Sequence, residues 1–303
     1  MAVPTLTAPD VAGSGRRRPL GRAVVESNAR MYRASPLNYV VLVVTLVLSV
    51  FPLYWMLVMA SRTNDQIAQI PPPLVPGDQL GPNVSKLLAN QDVMFAKALI
   101  NSFVVAGSIT ASTVVFASLA GFAFAKLRFR GRAPLLALVV LTMMVPVQLG
   151  TVPLYMLMGW LGVGGRLPSV ILPFLVSGFG VFLMRQYTMQ AVPDELIEAA
   201  RVDGCSTLRI FWSVVLPAVR PAAAVLGLFT FMQFWNEFLW PYIALDPANP
   251  TVQVALSRLS SGYYTDQSLV MAGTLMATLP LLVVLFVFGR QLISGIMEGA
   301  VKA

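Results

Sequence analysis

Five stretches of this chain run long enough without a charged residue to cross a lipid bilayer, a sixth does so with a single acid, and this restricts the fold more than any other feature. Hydrocarbon offers no water to backbone N–H and C=O groups, so an apolar segment of about 20 residues must close its hydrogen bonds internally, as a helix. The stretches are about 39–60, 98–125, 135–157, 167–184, 221–243 and 269–289, the fifth interrupted by Glu237. Composition is of the same kind: 57% of the 303 residues are hydrophobic and 11% are charged, against about 45–50% and about 25% in soluble domains. The expected class is all-α, an integral membrane protein with six transmembrane helices.

Several chemistries are excluded at once. There is no histidine and a single cysteine, Cys205, so imidazole proton relays, Cys-rich metal sites and internal disulfides are out of reach. None of the four lysines, Lys86, Lys97, Lys126 and Lys302, stands in a GxxxxGK[ST] phosphate loop. The chain therefore has no such loop with which to hydrolyse ATP itself. Its net charge of +8 reflects a basic tail, Arg16, Arg17, Arg18, Arg22, Arg30 and Arg33. We read this as retention by the positive-inside rule rather than nucleic-acid binding.

Orientation follows from the same rule. On one side lie the N-terminal tail, Lys126 to Arg132, the 4–5 connection (Arg185, Arg201, Arg209, Arg220) and the C-terminus. They hold sixteen Lys and Arg against five on the other side: Arg62, Lys86, Lys97, Arg166 and Arg258. Both termini are expected in the cytoplasm. Residues 1–36 read as a basic tail and 37–303 as one membrane domain. Tyr54, Trp55, Trp160, Trp240 and Tyr242 are expected at the outer interface. The small residues Ala106-Gly107-Ser108 and Ser118 to Gly121 suit close helix packing. Pro146 and Pro153 imply a kink or break in the third span, and Pro71-Pro72-Pro73 an extended outer loop.

The 4–5 connection is the anomaly, with 36 residues between Met184 and Pro221. Pro193-Asp194-Glu195 makes a helix start, with two acids against the N-terminal dipole. Leu196, Ile197, Ala199, Ala200 and Val202 give a partly apolar face, and Gly204 suits a left-handed stop. Ser206 or Thr207 then caps a second helix that Pro217 is expected to end. The hairpin, about 190–217, reads as a docking knob through which a motor domain could push on spans four and five.

Glu198-Ala199-Ala200, three residues, Gly204, nine residues, Val214, one residue and Leu216-Pro217 resembles the EAA motif of ABC importer permeases, with Val214 where Ile is usual. The stretch Val192 to Gly204 is similar to the carbohydrate-importer branch in particular. So are Met144-Val145-Pro146-Val147-Gln148, Val152-Pro153-Leu154-Tyr155 and Trp235-Asn236-Glu237-Phe238-Leu239-Trp240-Pro241. The likeness covers about Asn38 to the C-terminus and is to MalG-type inner-membrane permeases. It implies the type I ABC importer permease fold with a cytoplasmic coupling helix, moving a sugar by alternating access. The implied partners are a MalF-type permease, two copies of a cytoplasmic ATPase that carry the ATP and Mg, an extracytoplasmic sugar-binding protein and membrane lipid. It implies no cofactor on this chain. Glu198, Ala199, Ala200, Asp203, Gly204, Leu216 and Pro217 become coupling residues.

Candidates for the substrate pathway are Asn101, Gln148, Gln233, Asn236 and Glu237. Glu237 reads either as a pore-lining acceptor for sugar hydroxyls or as an interfacial acid held by a neighbouring helix. Asn101 reads as a pore contact or, preferably, an interhelical hydrogen bond. The aromatics Phe229, Phe231, Phe234, Trp235 and Phe238 read as a packing stripe before a sugar platform. The loop 244–268, with Tyr263 and Tyr264, reads as polar and exposed, long enough to meet the binding protein; the tail after Gly289 could touch the ATPases. No basic residue falls inside a span, which favours a neutral sugar over glycerol-phosphate-type substrates. An ion-coupled secondary transporter would need more intramembrane charge than Glu237 supplies. A membrane enzyme lacks a catalytic constellation, and a purely structural subunit leaves the hairpin without a role.

Overall fold

In a computed structural model, residues 35–261 and 265–300 are described, with side chains up to 289. Described residues are helical or connecting, without a strand; one isolated parallel bridge joins Gly165 and Leu245. The chain divides into two units, 1–52 and 53–303. Helix α1, Pro36–Ala60, begins in the first unit, where its apolar side chains are exposed, as lipid-facing residues must be. The basic tail, Tyr263, Tyr264 and the side chains after Gly289 lie outside the described residues.

Four helices of the described residues are long and apolar enough to span: α1, α4 (Phe95–Lys126), a helix over Thr207–Trp235, here α10, and the last, α13, over Gln267–Gly289 of Gln267–Ala300. Two bent pairs complete the six. The third span is α5 (Arg132–Met144) and α6 (Thr151–Trp160), joined through a 3-10 turn and bent by 89°. The expected break is there, but only Pro146 makes it. Val145 before it is extended, φ −87° and ψ 120°, as the pyrrolidine ring demands of its predecessor. Pro153 sits in the first turn of α6, where no N–H is needed.

The fourth span was expected as one helix over 167–184. It is instead α7 (Leu167–Ile171) with a 3-10 turn to Phe174, a gap, and α8 (Gly178–Ala191), bent by 40°. Ser177 stops and restarts the chain, its Oγ accepting the Gly180 N–H at 3.2 Å. The fifth span also departs from expectation, because Pro217 does not end the helix that Ser206 caps. Helix α10 runs unbroken through Pro217 and Pro221, with a π-turn over Phe211–Val215 in which the Leu216 N–H reaches back to the Phe211 carbonyl. That wide turn lies directly before the proline, where the regular ladder loses a donor. The helix stops at Trp235, and α11 (Leu239–Ala244) starts anew.

The connections between spans one and two and between spans five and six are more structured than expected. The 1–2 loop carries α2 (Asn64–Ile67) and α3 (Leu80–Ala89) on either side of the irregular proline run. The loop 244–268 is not simply polar and exposed: it carries α12 (Val252–Ser260), whose Val252, Val254 and Ala255 are buried. Lys97, Asn101 and Ser102 of α4 hold that loop through the Ala248 and Pro250 carbonyls and the Val252 N–H. The coupling hairpin's first helix is α9 (Asp194–Val202), packed with α8 and α10 through Val192, Ile197, Ile210 and Phe211. Of the aromatics expected at the interface, Trp240 is buried at 5% exposure, whereas Trp160 stands out at 84%.

Helix α4 is the central post, packed against both α8 and α10. Gly121 permits the closest approach. A Cβ there would lie 2.7 Å from the Met184 Cβ and 2.8 Å from the Arg185 backbone nitrogen. Gly107, on the same helix, has nothing within 4 Å of its would-be Cβ. Gly121→Ala should therefore lower stability by about 1–3 kcal/mol, while Gly107→Ala should be neutral or stabilising by up to about 1 kcal/mol. Thermal midpoints of the two purified variants check this; equal shifts would show that the α4–α8 contact does not depend on a missing side chain.

Candidate functional site

The hairpin is built as its sequence implies, with two differences. Pro193 is the residue preceding α9 rather than its first turn, which begins with Asp194 and Glu195. Of the apolar residues on α9 only Ile197 is buried, while Leu196 and Val202 are exposed. Gly204 adopts φ +76°, the left-handed conformation that a side chain disfavours. Around it the Asp203, Gly204 and Cys205 N–H groups donate to the Ala199, Arg201 and Ala200 carbonyls, each at 3.0 Å. Ser206 then caps α10 by accepting the Arg209 N–H. Glu198, Ala199, Asp203, Gly204 and Pro217 are exposed; Ala200 and Leu216 are half-buried against the core.

A latch that the sequence reading missed fixes the hairpin. Lys126, the last residue of α4, has a side chain only 8% exposed and places its Nζ 2.6 Å from Asp194 Oδ1. A cation at a helix C-terminus meets an acid at a helix N-terminus, so both dipoles favour the pair. Lys126 was legible only as one of four clustered cations, because nothing in the sequence shows where α4 ends relative to α9.

The second feature is a cavity of about 980 Å³. Its walls come from the three places where spans are interrupted: Val145 to Thr151, Pro173 to Phe179, and the end of α10 with Glu237 and α11. Irregular backbone at membrane depth is tolerated where it lines a cavity, and here three interruptions share one. Gln148, Gln233 and Glu237 all line it. Glu237 lies in the gap between α10 and α11, half-buried, its Oε1 accepting the Trp240 N–H at 3.1 Å. It thus satisfies an orphan donor of α11 while facing the cavity. Thr142, Thr151, Ser177 and Thr230 add hydroxyls; these were missed, since a lone Ser or Thr in an apolar run reads as packing.

Two candidates fall outside the cavity. Asn101 is buried, and its Nδ2 donates to the Pro250 carbonyl at 2.8 Å, which is a packing arrangement. Asn236 is exposed; its amide donates to the Met232 carbonyl, and its Oδ1 accepts from Gln253. Its neighbour Trp235 is a core residue, its Nε1 donating to the Ala277 carbonyl and its ring 5.5 Å from the stacked ring of Phe231. Of the aromatic stripe, Phe234 reaches the cavity wall.

Residues 113–296 match the family described as binding-protein-dependent transport system inner membrane component. The chain belongs to this family. Among its relatives, the lactose transport system permease protein LacG of Rhizobium radiobacter is 36% identical, over 88% of this chain and 95% of its own. The sn-glycerol-3-phosphate transport system permease protein UgpE of Yersinia enterocolitica is 34% identical, over 86% and 95%. The arabinooligosaccharides transport system permease protein AraQ of Bacillus subtilis is 34% identical, over 71% and 76%. A crystal structure of a bacterial ABC transporter that imports the acidic polysaccharide alginate contains a chain of the same fold. The TM-score is 0.72 at 21% identity, with 91% of this chain and 99% of that one covered. This permease is thus a multi-pass transport subunit of an ABC importer, as the resemblance implied.

Two outcomes follow for the hairpin of this permease. Gly204→Ala forces a side chain into the left-handed region at about 1–2 kcal/mol, so amide exchange at residues 199–206 should rise while α4 stays protected. The second concerns pH. The Lys126 hydrogen bond, then its charge, holds the Asp194 carboxyl below the usual aspartate range. A depressed folded value means the contribution is complete above the unfolded pKa, about 3.9, and is lost as pH falls through the lower folded value. Protection of the α9 amides, measured against their intrinsic exchange at each pH, should be constant from neutrality to about pH 4 and fall below; Lys126→Met should show the reduced protection already at pH 7.

Proposed function

We propose that this chain is the MalG-type half of a heterodimeric sugar pore. It is oriented with both termini and the hairpin in the cytoplasm, where two ATPase subunits carrying ATP and Mg grip the coupling helices of the two halves, α9 in this chain. A MalF-type permease completes the pore, and an extracytoplasmic binding protein delivers the sugar to the face bearing α12. The observation that carries the reading is the continuity of α10. This single helix of 29 residues begins at the hairpin with Thr207 and ends at Trp235, and its Thr230, Gln233 and Phe234 form a cavity wall. At about 1.5 Å per residue it spans about 43 Å. Displacing the hairpin therefore displaces a wall of the cavity, the mechanical requirement for alternating access. Glu198, Ala199, Ala200, Asp203, Gly204, Leu216 and Pro217 act at the gripped end; Gln148, Gln233 and Glu237 act at the substrate end.

The cavity's chemistry supports a neutral di- or oligosaccharide. Its polar side chains are hydroxyls, two amides, one carboxylate and the Trp240 indole, and among the described residues none that lines it is cationic. Sugar hydroxyls hydrogen-bond to such groups, whereas a phosphate or uronate would meet Glu237 with no counter-charge. The similarity to UgpE of Yersinia enterocolitica keeps glycerol-phosphate-type substrates as the second reading.

Co-purification with candidate ATPase and partner-permease chains tests the coupling reading. The wild type should retain an ATPase, and Gly204→Asp and Glu198→Ala should release it or uncouple uptake; no association would defeat the assignment. In cells with the full importer, Glu237→Gln should keep sugar uptake within a few-fold, because an amide oxygen can still accept from Trp240. Glu237→Lys should cost tenfold or more, about 1.4 kcal/mol. Enhanced uptake of a phosphorylated substrate by Glu237→Gln, with none for neutral sugars, would favour the second reading.

A further inference from the structure

We propose that the pocket between the end of α4 and helix α9 binds the phosphate of an anionic phospholipid headgroup. The inference rests on the membrane fold and the pocket's own side chains, and is independent of which substrate the cavity takes. The pocket measures about 520 Å³ and is lined by four cations, Lys126, Arg128, Arg132 and Arg201, against two acids, Asp194 and Glu198. One acid is already neutralised, since Asp194 is paired with Lys126. Arg132 is anchored by donating to the Ala125 and Leu127 carbonyls. The Arg128 and Arg201 side chains make no hydrogen bond to another described residue, which leaves two planar guanidinium forks on one concave, polar surface. Such forks match the paired oxygens of a phosphate better than a point charge does.

The pocket's position in the fold says where that phosphate comes from. Lys126 is the last residue of one membrane span, and Arg132 is the first residue of the next. The site therefore lies at headgroup depth, where basic pockets between transmembrane helices collect anionic lipids. A lipid phosphate there would touch Arg128 on the 2–3 connection and Arg201 on α9 together. It would tie the hairpin to the membrane surface beside the Lys126–Asp194 latch. A free inorganic phosphate offers the same oxygens without the membrane anchor, and the test separates the two.

The full chain, purified from membranes with whatever subunits accompany it, is placed in nanodiscs of phosphatidylcholine with and without phosphatidylglycerol. Retained lipid is then read by native mass spectrometry. The wild type should keep phosphatidylglycerol in preference to phosphatidylcholine, and added inorganic phosphate should not displace it. The double variant Arg128→Gln, Arg201→Gln should fall to the phosphatidylcholine level. Should that variant fail to purify as a monodisperse particle, Arg128→Lys with Arg201→Lys decides, with intermediate retention expected because charge is kept and the forks are lost. Retention equal to wild type in the variant that purifies overturns the proposal. So does complete displacement by inorganic phosphate, and so does lipid binding that emerges only after accompanying subunits are stripped away, which would mean that a protein surface fills the pocket.

Discussion

Backbone hydrogen bonding in hydrocarbon is the constraint on which the rest of this structure depends. A span that breaks at membrane depth exposes N–H and C=O groups worth several kcal/mol each if left unpaired. This chain breaks three of its spans, at Val145-Pro146, at 175–177 and at 236–238, and brings the breaks to one cavity. Each break supplies polar partners of its own. The Thr151 hydroxyl donates to the Gln148 carbonyl, Ser177 Oγ accepts the Gly180 N–H, and Glu237 accepts the Trp240 N–H. The side chains that repair the backbone thus add to the polarity that Gln148 and Gln233 give the cavity. A water-accepting chamber is a direct consequence of interrupting apolar helices.

That consequence explains what could be read from the sequence and what could not. Spans are legible because charge is nearly absent from them, and Pro146 is legible as a break because its ring acts on Val145 locally. The break at Ser177 is not legible, since Leu175-Val176-Ser177-Gly178 is as apolar and as small as any packing stretch. Proline reads too strongly elsewhere: Pro153 falls in a first turn and Pro217 follows a π-turn, and neither stops a helix. At the site, Gln148, Gln233 and Glu237 were found because amides and acids are rare in apolar runs. Asn101 was caught by the same criterion although it serves the 244–268 loop. Polarity inside a span reports that a partner exists, and only the fold says whether that partner is backbone or cavity. The hairpin was legible for a different reason, because Gly204 and the acids before it act through bonds within a few residues.

A wall moved by a distant handle must be connected to it without slack, and α10 meets this at both ends. At the far end Trp235 is held by the Ala277 carbonyl and by the rings of Phe103, 4.8 Å edge-on, and Phe231. At the near end Ile210, Phe211 and Val215 join the core of α4 and α8. The π-turn belongs to that near end and the two prolines follow it, so the helix can bend there, where Pro217 and Pro221 remove donors from its ladder.

The handle itself is held lightly. Helix α9 buries only Ile197, and the Lys126–Asp194 pair, whose acid stands in solvent, adds only a small amount of stability. A hairpin with its own deep core would resist displacement by many times that amount. Leu196, Val202, Leu208 and Trp212 instead remain exposed around the Gly204 turn, at 50%, 88%, 61% and 53%. Apolar surface of this extent at a loop tip calls for a partner to cover it. In the proposed reading, burial against that partner would outweigh the latch, the hairpin would follow what grips it, and α10 would carry the displacement to the cavity wall.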